Sequence, residues 1–195
     1  MADQQTAKKG IKKKFFDVKI PLTATKVKLY APNEEALHNS IVKIDMTKNL
    51  KGKNVELRAK VILKEGKIDS ELLSLIVVPS YIRRIMRRGI DYVEDSFEMS
   101  CKDAKFRIKP FMITRSHVSR TVRNKIRITA RKFLESQLNI KNITEIFSEI
   151  MSNKLQKNLS LKVKKIYPLA FCEIRWIEVI GLPDKSPKTE KFSED

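Results

Sequence analysis

Val55-Glu56-Leu57-Arg58-Ala59-Lys60-Val61 alternates apolar and polar residues at a period of two. A Glu65-Gly66 turn then leads into Ile68 to Val78, which is apolar enough for a central strand. Period two is the signature of a half-buried strand, and two such runs joined by a short glycine-containing turn predict a β-hairpin. The same alternation recurs upstream in Phe16-Asp17-Val18-Lys19-Ile20, Lys26-Val27-Lys28-Leu29-Tyr30 and Ile41-Val42-Lys43-Ile44. The first half of the chain therefore reads as a run of short strands.

Downstream the period changes. Pro79 and Ser80 stop the strand, and Ser80 is a candidate N-cap for a short helix ending at Gly89. Tyr92 to Cys101 and Lys105 to Thr114 predict a second hairpin around a tight turn at Lys102-Asp103-Ala104. Ser116 can cap a long helix to Leu138, and Asn142 with Glu145 resembles a capping box for a second helix to about Lys157. Leu161-Lys162-Val163-Lys164-Lys165-Ile166 and Phe171 to Val179 read as two closing strands split by Pro168. The expected class is α+β: a mostly antiparallel barrel or curved sheet with a short inserted helix, then two helices and two C-terminal strands. The expected organisation is a flexible basic arm (1–14), a β-rich RNA-binding domain (15–115), a helix-helix-strand-strand part packed on it (116–182) and a disordered tail (183–195).

Charge sets the functional reading. Of 195 residues, 41 are Lys or Arg against 23 Asp or Glu, a net charge of +18, while 42% are hydrophobic, enough for a proper core. The cations are patterned. Arg83, Arg84, Arg87 and Arg88 fall on one side of the short helix, with Ile82, Ile85 and Met86 on the other. On the long helix Arg120, Arg123, Arg127 and Arg131 are spaced by three, four and four residues and share an arc beside an apolar stripe. Between Ser116 and Leu134 there is no acidic residue, so pairing four residues apart cannot neutralise the strip. An arginine fork suits phosphate oxygens in a bidentate way that lysine does not match. The candidate RNA-binding set is Lys8, Lys9, Lys12, Lys13 and Lys14 of the arm, Arg83, Arg84, Arg87 and Arg88, Lys102, Arg107, Lys109 and Arg115, and Arg120, Arg123, Lys125, Arg127 and Arg131. Phe106 and Phe111 have opposite strand parities and read as core residues rather than a stacking pair, which favours recognition of RNA backbone and shape over sequence.

Other chemistries find little support. Cys101 and Cys172 stand alone and read as reduced strand cysteines, with no zinc spacing. Five glycines, at 10, 52, 66, 89 and 181, cannot assemble a phosphate-cradling loop. His38 and His117 are the only histidines, and neither has a recognisable catalytic setting. Asp91, Glu94, Asp95 and Glu98 form one acidic patch, which keeps a metal-dependent nuclease as an enzymatic alternative. No cofactor is expected. With no signal-peptide pattern and no apolar run of membrane-spanning length, the expectation is an intracellular protein with no membrane partner.

Several segments in order resemble the S3Ae family of archaeal and eukaryotic small-subunit ribosomal proteins. They are Lys14-Phe15-Phe16-Asp17-Val18-Lys19 with Pro21, Tyr81-Ile82-Arg83 with Arg87-Arg88-Gly89, Lys102-Asp103 followed by Arg107-Ile108-Lys109-Pro110, then Tyr167-Pro168-Leu169 and Glu173-Ile174-Arg175. The resemblance spans most of the chain and implies a structural, non-catalytic constituent of the small subunit. It also implies a place on the platform near the messenger exit channel and a cytoplasmic, ribosome-bound location. Implied partners are small-subunit rRNA and neighbouring ribosomal proteins, with messenger RNA near the exit as a further candidate. The short arm and overall length suggest an archaeal member. A free-standing RNA-binding or chaperone module is the alternative with the same surface.

Overall fold

The computed structural model describes residues 13–181, apart from 24–25, 49, 51 and 65–66. Lys8, Lys9 and Lys12, most of the basic arm, the Glu65-Gly66 turn and the tail 183–195 thus lie outside the described residues. The chain divides into two compact units, one of Met1–Val42 with Ala59–Leu72, the other of Lys43–Arg58 with Leu73–Asp195.

In the first unit β1 (Lys14–Lys19) pairs antiparallel with β2 (Lys26–Ala31), from Lys14 opposite Ala31 to Lys19 opposite Lys26. The alternation read from the sequence sorts the two faces: Val18, Ile20 and Ala31 are buried while Phe15, Asp17 and Lys19 are exposed. Buried Ser70 donates from its hydroxyl to the Lys19 carbonyl at 2.7 Å, which anchors the end of the hairpin. A 3-10 turn at Glu35–Leu37 follows, and Asn39 takes a positive φ of 64°, a conformation asparagine tolerates. Its amide then donates to the Val61 carbonyl at 3.0 Å.

The large sheet uses β3 (Ile41–Asp45), β4 (Val55–Lys64), β5 (Lys67–Val77), β6 (Tyr92–Glu94), β7 (Phe97–Ser100), β8 (Lys105–Thr114) and β9 (Leu169–Gly181). Their order is β3-β4-β5-β9-β8-β6, with β7 also on β8, and β4 and β5 contribute residues to both units. Of the two forms expected, it is an open sheet and not a closed barrel. The second hairpin forms around the expected turn, where the Cys101 amide donates to the Ala104 carbonyl at 2.8 Å, but its first arm is broken into β6 and β7.

β8 is the spine of the second unit, paired along its length with β9. It contains Pro110, which cannot donate a ladder hydrogen bond and is tolerated at a bulge; the register shifts between Lys109 and Pro110. Phe106 and Phe111 are both buried despite their opposite parity, because the strand's second half, Phe111 to Thr114, is enclosed on both faces.

Helix α1 (Pro79–Ile85) starts one residue before Ser80, with Pro79 in the first turn, where its missing N–H costs nothing. It ends at Ile85, not Gly89: Met86 is already extended, and Gly89 takes a φ of +82° in the loop that follows. Helix α2 (Arg120–Leu138) is capped by Ser119 instead of Ser116, the Ser119 hydroxyl accepting from the Val122 amide at 3.4 Å. Ser116 shares a 2.6 Å hydrogen bond with the Tyr167 hydroxyl.

The Asn142 and Glu145 reading holds, since the Asn142 amide donates to the Glu145 carboxylate at 3.3 Å at the head of α3 (Ile143–Met151). That helix does not continue to Lys157. Asn153 breaks it at φ 59°, and α4 (Lys154–Lys164) begins. The expected strand Leu161 to Ile166 is therefore mostly helix: Leu155, Leu159 and Val163, four residues apart, are buried, while Leu161 is 64% exposed. Among the described residues three helices and one strand, β9, follow β8, where two helices and two strands were expected. Among the described residues no helix is long and apolar enough to cross a membrane.

Both cysteines sit in β-rich surroundings that silence them. Cys101 is buried, with its thiol donating to the Ala104 carbonyl at 3.1 Å, and burial beside Glu173 pushes the Cys172 thiol up to about 12. The native protein should therefore fail to react with an aromatic disulfide reagent at pH 8 over minutes, with both thiols titrating at once in denaturant.

Candidate nucleic-acid interface

Ile126, Ala130, Leu134 and Leu138 bury one stripe of α2, fixing the helix so that Arg120, Arg123, Lys125, Arg127 and Arg131 all face water. Their circumstances differ. Arg127 donates to the Asn124 side chain at 2.9 Å, an i−3 contact that leaves its charge unneutralised. Arg131 is committed: its Nε donates to Glu135 at 3.0 Å and its guanidinium lies 5.2 Å from the centre of the Phe97 ring. The acid-free window ended at Leu134, one residue short of that partner. Arg120 and Arg123 take no ion pair among the described residues.

These arginines form one wall of an open cleft of about 860 Å³ within the second unit. Arg120, Arg123 and Arg127 line it on one side, and the segment from Ile90 to Glu94 on the other. Met86 and Ile90 also border it, so the loop carrying exposed Arg87 and Arg88 lies at its rim. Arg83 and Arg84 sit in the last turn of α1, where a cation also suits the helix dipole, and Arg84 stacks 5.3 Å from the Tyr81 ring centre. The structure thus gathers cations from α2 and from the loop after α1, which are far apart in sequence. Asn124 and exposed Tyr92 belong to the same cleft and were not among the sequence candidates; only the tertiary pairing of β6 with β8 brings Tyr92 there.

The remaining candidates are scattered. Arg107 pairs with Glu98 at 2.5 Å, and half-buried Lys109 lies 4.2 Å above the Trp176 ring, so both have internal partners. Lys102 and Arg115 are exposed, in the turn before β8 and in the loop before α2. In the first unit Lys14 is exposed on β1, and Lys13 just ahead of it lies 5.6 Å from the Tyr30 ring centre.

The acidic patch is divided among separate tasks. Asp91 accepts from the Val118 amide at 2.9 Å and meets His117 Nδ1 at 3.2 Å, fixing the approach to α2. Glu94 pairs with Arg175 at 2.6 Å, Asp95 accepts from the Ser96 amide at 3.0 Å, and Glu98 takes Arg107. Among the described residues no three His, Cys, Asp or Glu side chains gather where they could hold a metal ion. That distribution gives the nuclease alternative no support.

The Val118 amide, then His117, then the field of Arg123, hold the Asp91 carboxyl below the usual carboxylate range. A carboxyl lowered on folding stabilises the fold fully above its unfolded value near 4, and loses that contribution as pH falls through the lower folded value. Asp91→Asn should therefore lower the thermal midpoint slightly at pH 7, with the gap to the native protein narrowing as pH falls below about 4; calorimetry over that range reads the difference.

The model of the Ribosomal S3Ae family matches residues 2–183. Small ribosomal subunit protein eS1 of Nanoarchaeum equitans is 27% identical over 174 residues, covering 84% of this chain and 87% of that protein. The protein of that name from Methanothrix thermoacetophila is 24% identical over 147 residues, 73% of this chain and 69% of its own length. That from a strain of Saccharolobus islandicus is 23% identical over 151 residues, 76% and 73% of the two chains. A family match that runs nearly from end to end, together with archaeal relatives aligned over most of their lengths, establishes that the chain belongs to the ribosomal S3Ae family.

Proposed function

We propose that this protein is a structural constituent of the small ribosomal subunit and supports translation by holding rRNA through phosphate contacts. The observation that carries the reading is the cleft wall of Arg120, Arg123 and Arg127, guanidinium groups fixed outward on a packed helix, none of them in an ion pair among the described residues. Fixed cations of this kind repel one another until a polyanion lies against them, and release of that polyanion's counterions drives binding. Arg87 and Arg88 at the rim extend the surface, and Lys8, Lys9, Lys12, Lys13 and Lys14 add further positive charge. Lys102, Arg107, Lys109 and Arg115 are secondary contributors, two of them already engaged within the protein.

The family supports small-subunit rRNA and neighbouring ribosomal proteins as partners. A position on the platform near the messenger exit, with messenger RNA passing by, is the finer form of the same proposal. No step in this role is catalytic.

With six to ten phosphates engaged, raising salt from 50 to 200 mM should weaken binding of an isolated rRNA fragment by roughly a thousandfold or more. A filter-binding titration at several salt concentrations checks it, and a flat response refutes phosphate-driven binding. The free-standing RNA-binding module has the same slope but would stay at the top of a sucrose gradient. The ribosomal reading requires the tagged protein to travel with small subunits and to be released only by high salt.

A further inference from the structure

The β1–β2 hairpin turns two aromatic rings outward. Phe15 is 71% and Tyr30 58% exposed, they face each other across the ladder, and their ring centres are 4.8 Å apart at an interplanar angle of 40°. The next pairs on that face are Asp17 opposite Lys28 and Lys19 opposite Lys26, all four exposed, while Lys13 closes the other end 5.6 Å from the Tyr30 ring centre. On the opposite parity Val18 and Ala31 are buried and Phe16, Val27 and Leu29 half-buried. One solvent face therefore carries an aromatic pair flanked at both ends by lysines, four of them against the single carboxylate of Asp17.

A cross-strand aromatic pair does steady a hairpin, but β-branched residues would serve without leaving so much apolar ring in water. The charge decides the occupant. A protein surface complementary to these lysines would be acidic, with no use for two open π-faces, whereas an unpaired nucleotide segment brings a phosphate for the cations and a base for the rings.

We infer that this face is a stacking platform for single-stranded RNA, with a base on Phe15 and Tyr30 and the backbone led along the ladder past Lys28, Lys26 and Lys19. At about 3.3 Å per residue, the Lys19 and Lys26 pair lies roughly 13 Å from the rings, so a strand must run along the hairpin to touch both. The inference goes beyond the phosphate-holding role of α2: it uses other residues, another unit of the fold and another chemistry.

The test uses the full chain with two labelled eight-nucleotide RNAs of equal phosphate number, octaadenylate and an abasic strand, read by fluorescence anisotropy. The native protein should bind octaadenylate at least tenfold more tightly. Phe15→Val with Tyr30→Val keeps strand propensity and cross-strand packing but removes the π-faces. It should weaken octaadenylate binding roughly tenfold to a hundredfold, erase the preference over the abasic strand and leave the salt slope intact. Lys26→Gln with Lys28→Gln should lower the salt slope by about 1.4 and weaken both strands equally. Arg120→Gln with Arg123→Gln and Arg127→Gln should keep the preference for bases whatever happens to folded rRNA, so failure of the α2 reading and failure of this one are distinguishable. Equal binding of the two strands by the native protein overturns the inference. So does a valine variant that keeps the preference, or one that loses only an acidic protein partner.

Discussion

Changing Arg120, Arg123 and Arg127 together to glutamine should weaken binding of a small-subunit rRNA fragment about a thousandfold while moving the thermal midpoint by no more than a degree or two. A hydrogen bond to a charged group contributes about 1.5 kcal/mol at the low end, so three lost guanidinium contacts remove about 4.5 kcal/mol, and each 1.4 kcal/mol is tenfold. The salt slope should fall by about three, because three fewer phosphates release counterions. Stability should hold because all three side chains are exposed and glutamine forms helices about as well as arginine. Lysine at the same positions should restore the salt slope but only part of the affinity, since it supplies the charge without the fork.

Arg131→Gln is the internal control. That guanidinium already holds Glu135 and covers the Phe97 ring, so its loss should disturb packing more than RNA binding. If the triple variant unfolds early, or if Arg131→Gln alone weakens RNA binding as much as the other three together, the cleft wall is not the phosphate-binding element.

The line between what was legible and what was not follows the range of the forces involved. Alternation from Phe16 to Val61 read as strands because a half-buried strand imposes its period on its own residues, whatever it pairs with. The apolar stripe through Ile126, Ala130 and Leu134 was legible for the same reason, and so was the Asn142 and Glu145 capping box, whose partners lie three residues apart. Errors came where a short window mimicked another period. Leu161 to Ile166 alternates with lysines over six residues, and only a longer frame holding Leu155 and Leu159 shows Val163 as the third contact of a helix.

Other misses depended on distant residues. Ser116 reads as the cap in the sequence, but Tyr167 shares its hydroxyl and Asp91 takes the Val118 amide, both from other parts of the chain, and the helix starts after Ser119. The arginines of α2 were visible as an arc, but the cleft needs Ile90 to Glu94 beside them. Likewise Phe15 and Tyr30 were each in view, yet only the register of β1 on β2 makes them neighbours.

Lys53→Met should strongly destabilise the second unit, lowering the thermal midpoint by roughly 10 °C. Lys53 comes from the turn before β4, which positive-φ Gly52 helps to form, and is 8% exposed. Its ammonium forms an ion pair with Glu173 on β9 and donates to the Asn153 side chain at 3.1 Å, at the left-handed junction between α3 and α4. Buried Gln156 completes the group, donating to the Ile150 carbonyl at 2.9 Å and, more weakly, to Glu173 at 3.3 Å. One lysine thus ties a loop, a helix junction and a strand together. Methionine fills much of the same volume but leaves the Glu173 carboxylate with only the long Gln156 contact. Breaking a buried pair from one side costs about 3–5 kcal/mol, and a domain of this size loses about 2–4 °C per kcal/mol. Removing both charges, as Lys53→Met with Glu173→Met, should recover most of that loss, because an apolar pair of similar volume replaces a desolvated ion pair at little net cost. A double variant as unstable as the single one would place the damage in the Asn153 junction instead of the stranded carboxylate. In either case affinity for rRNA at a temperature where each variant is folded should stay within about twofold of native, since none of these groups lies in the arginine cleft.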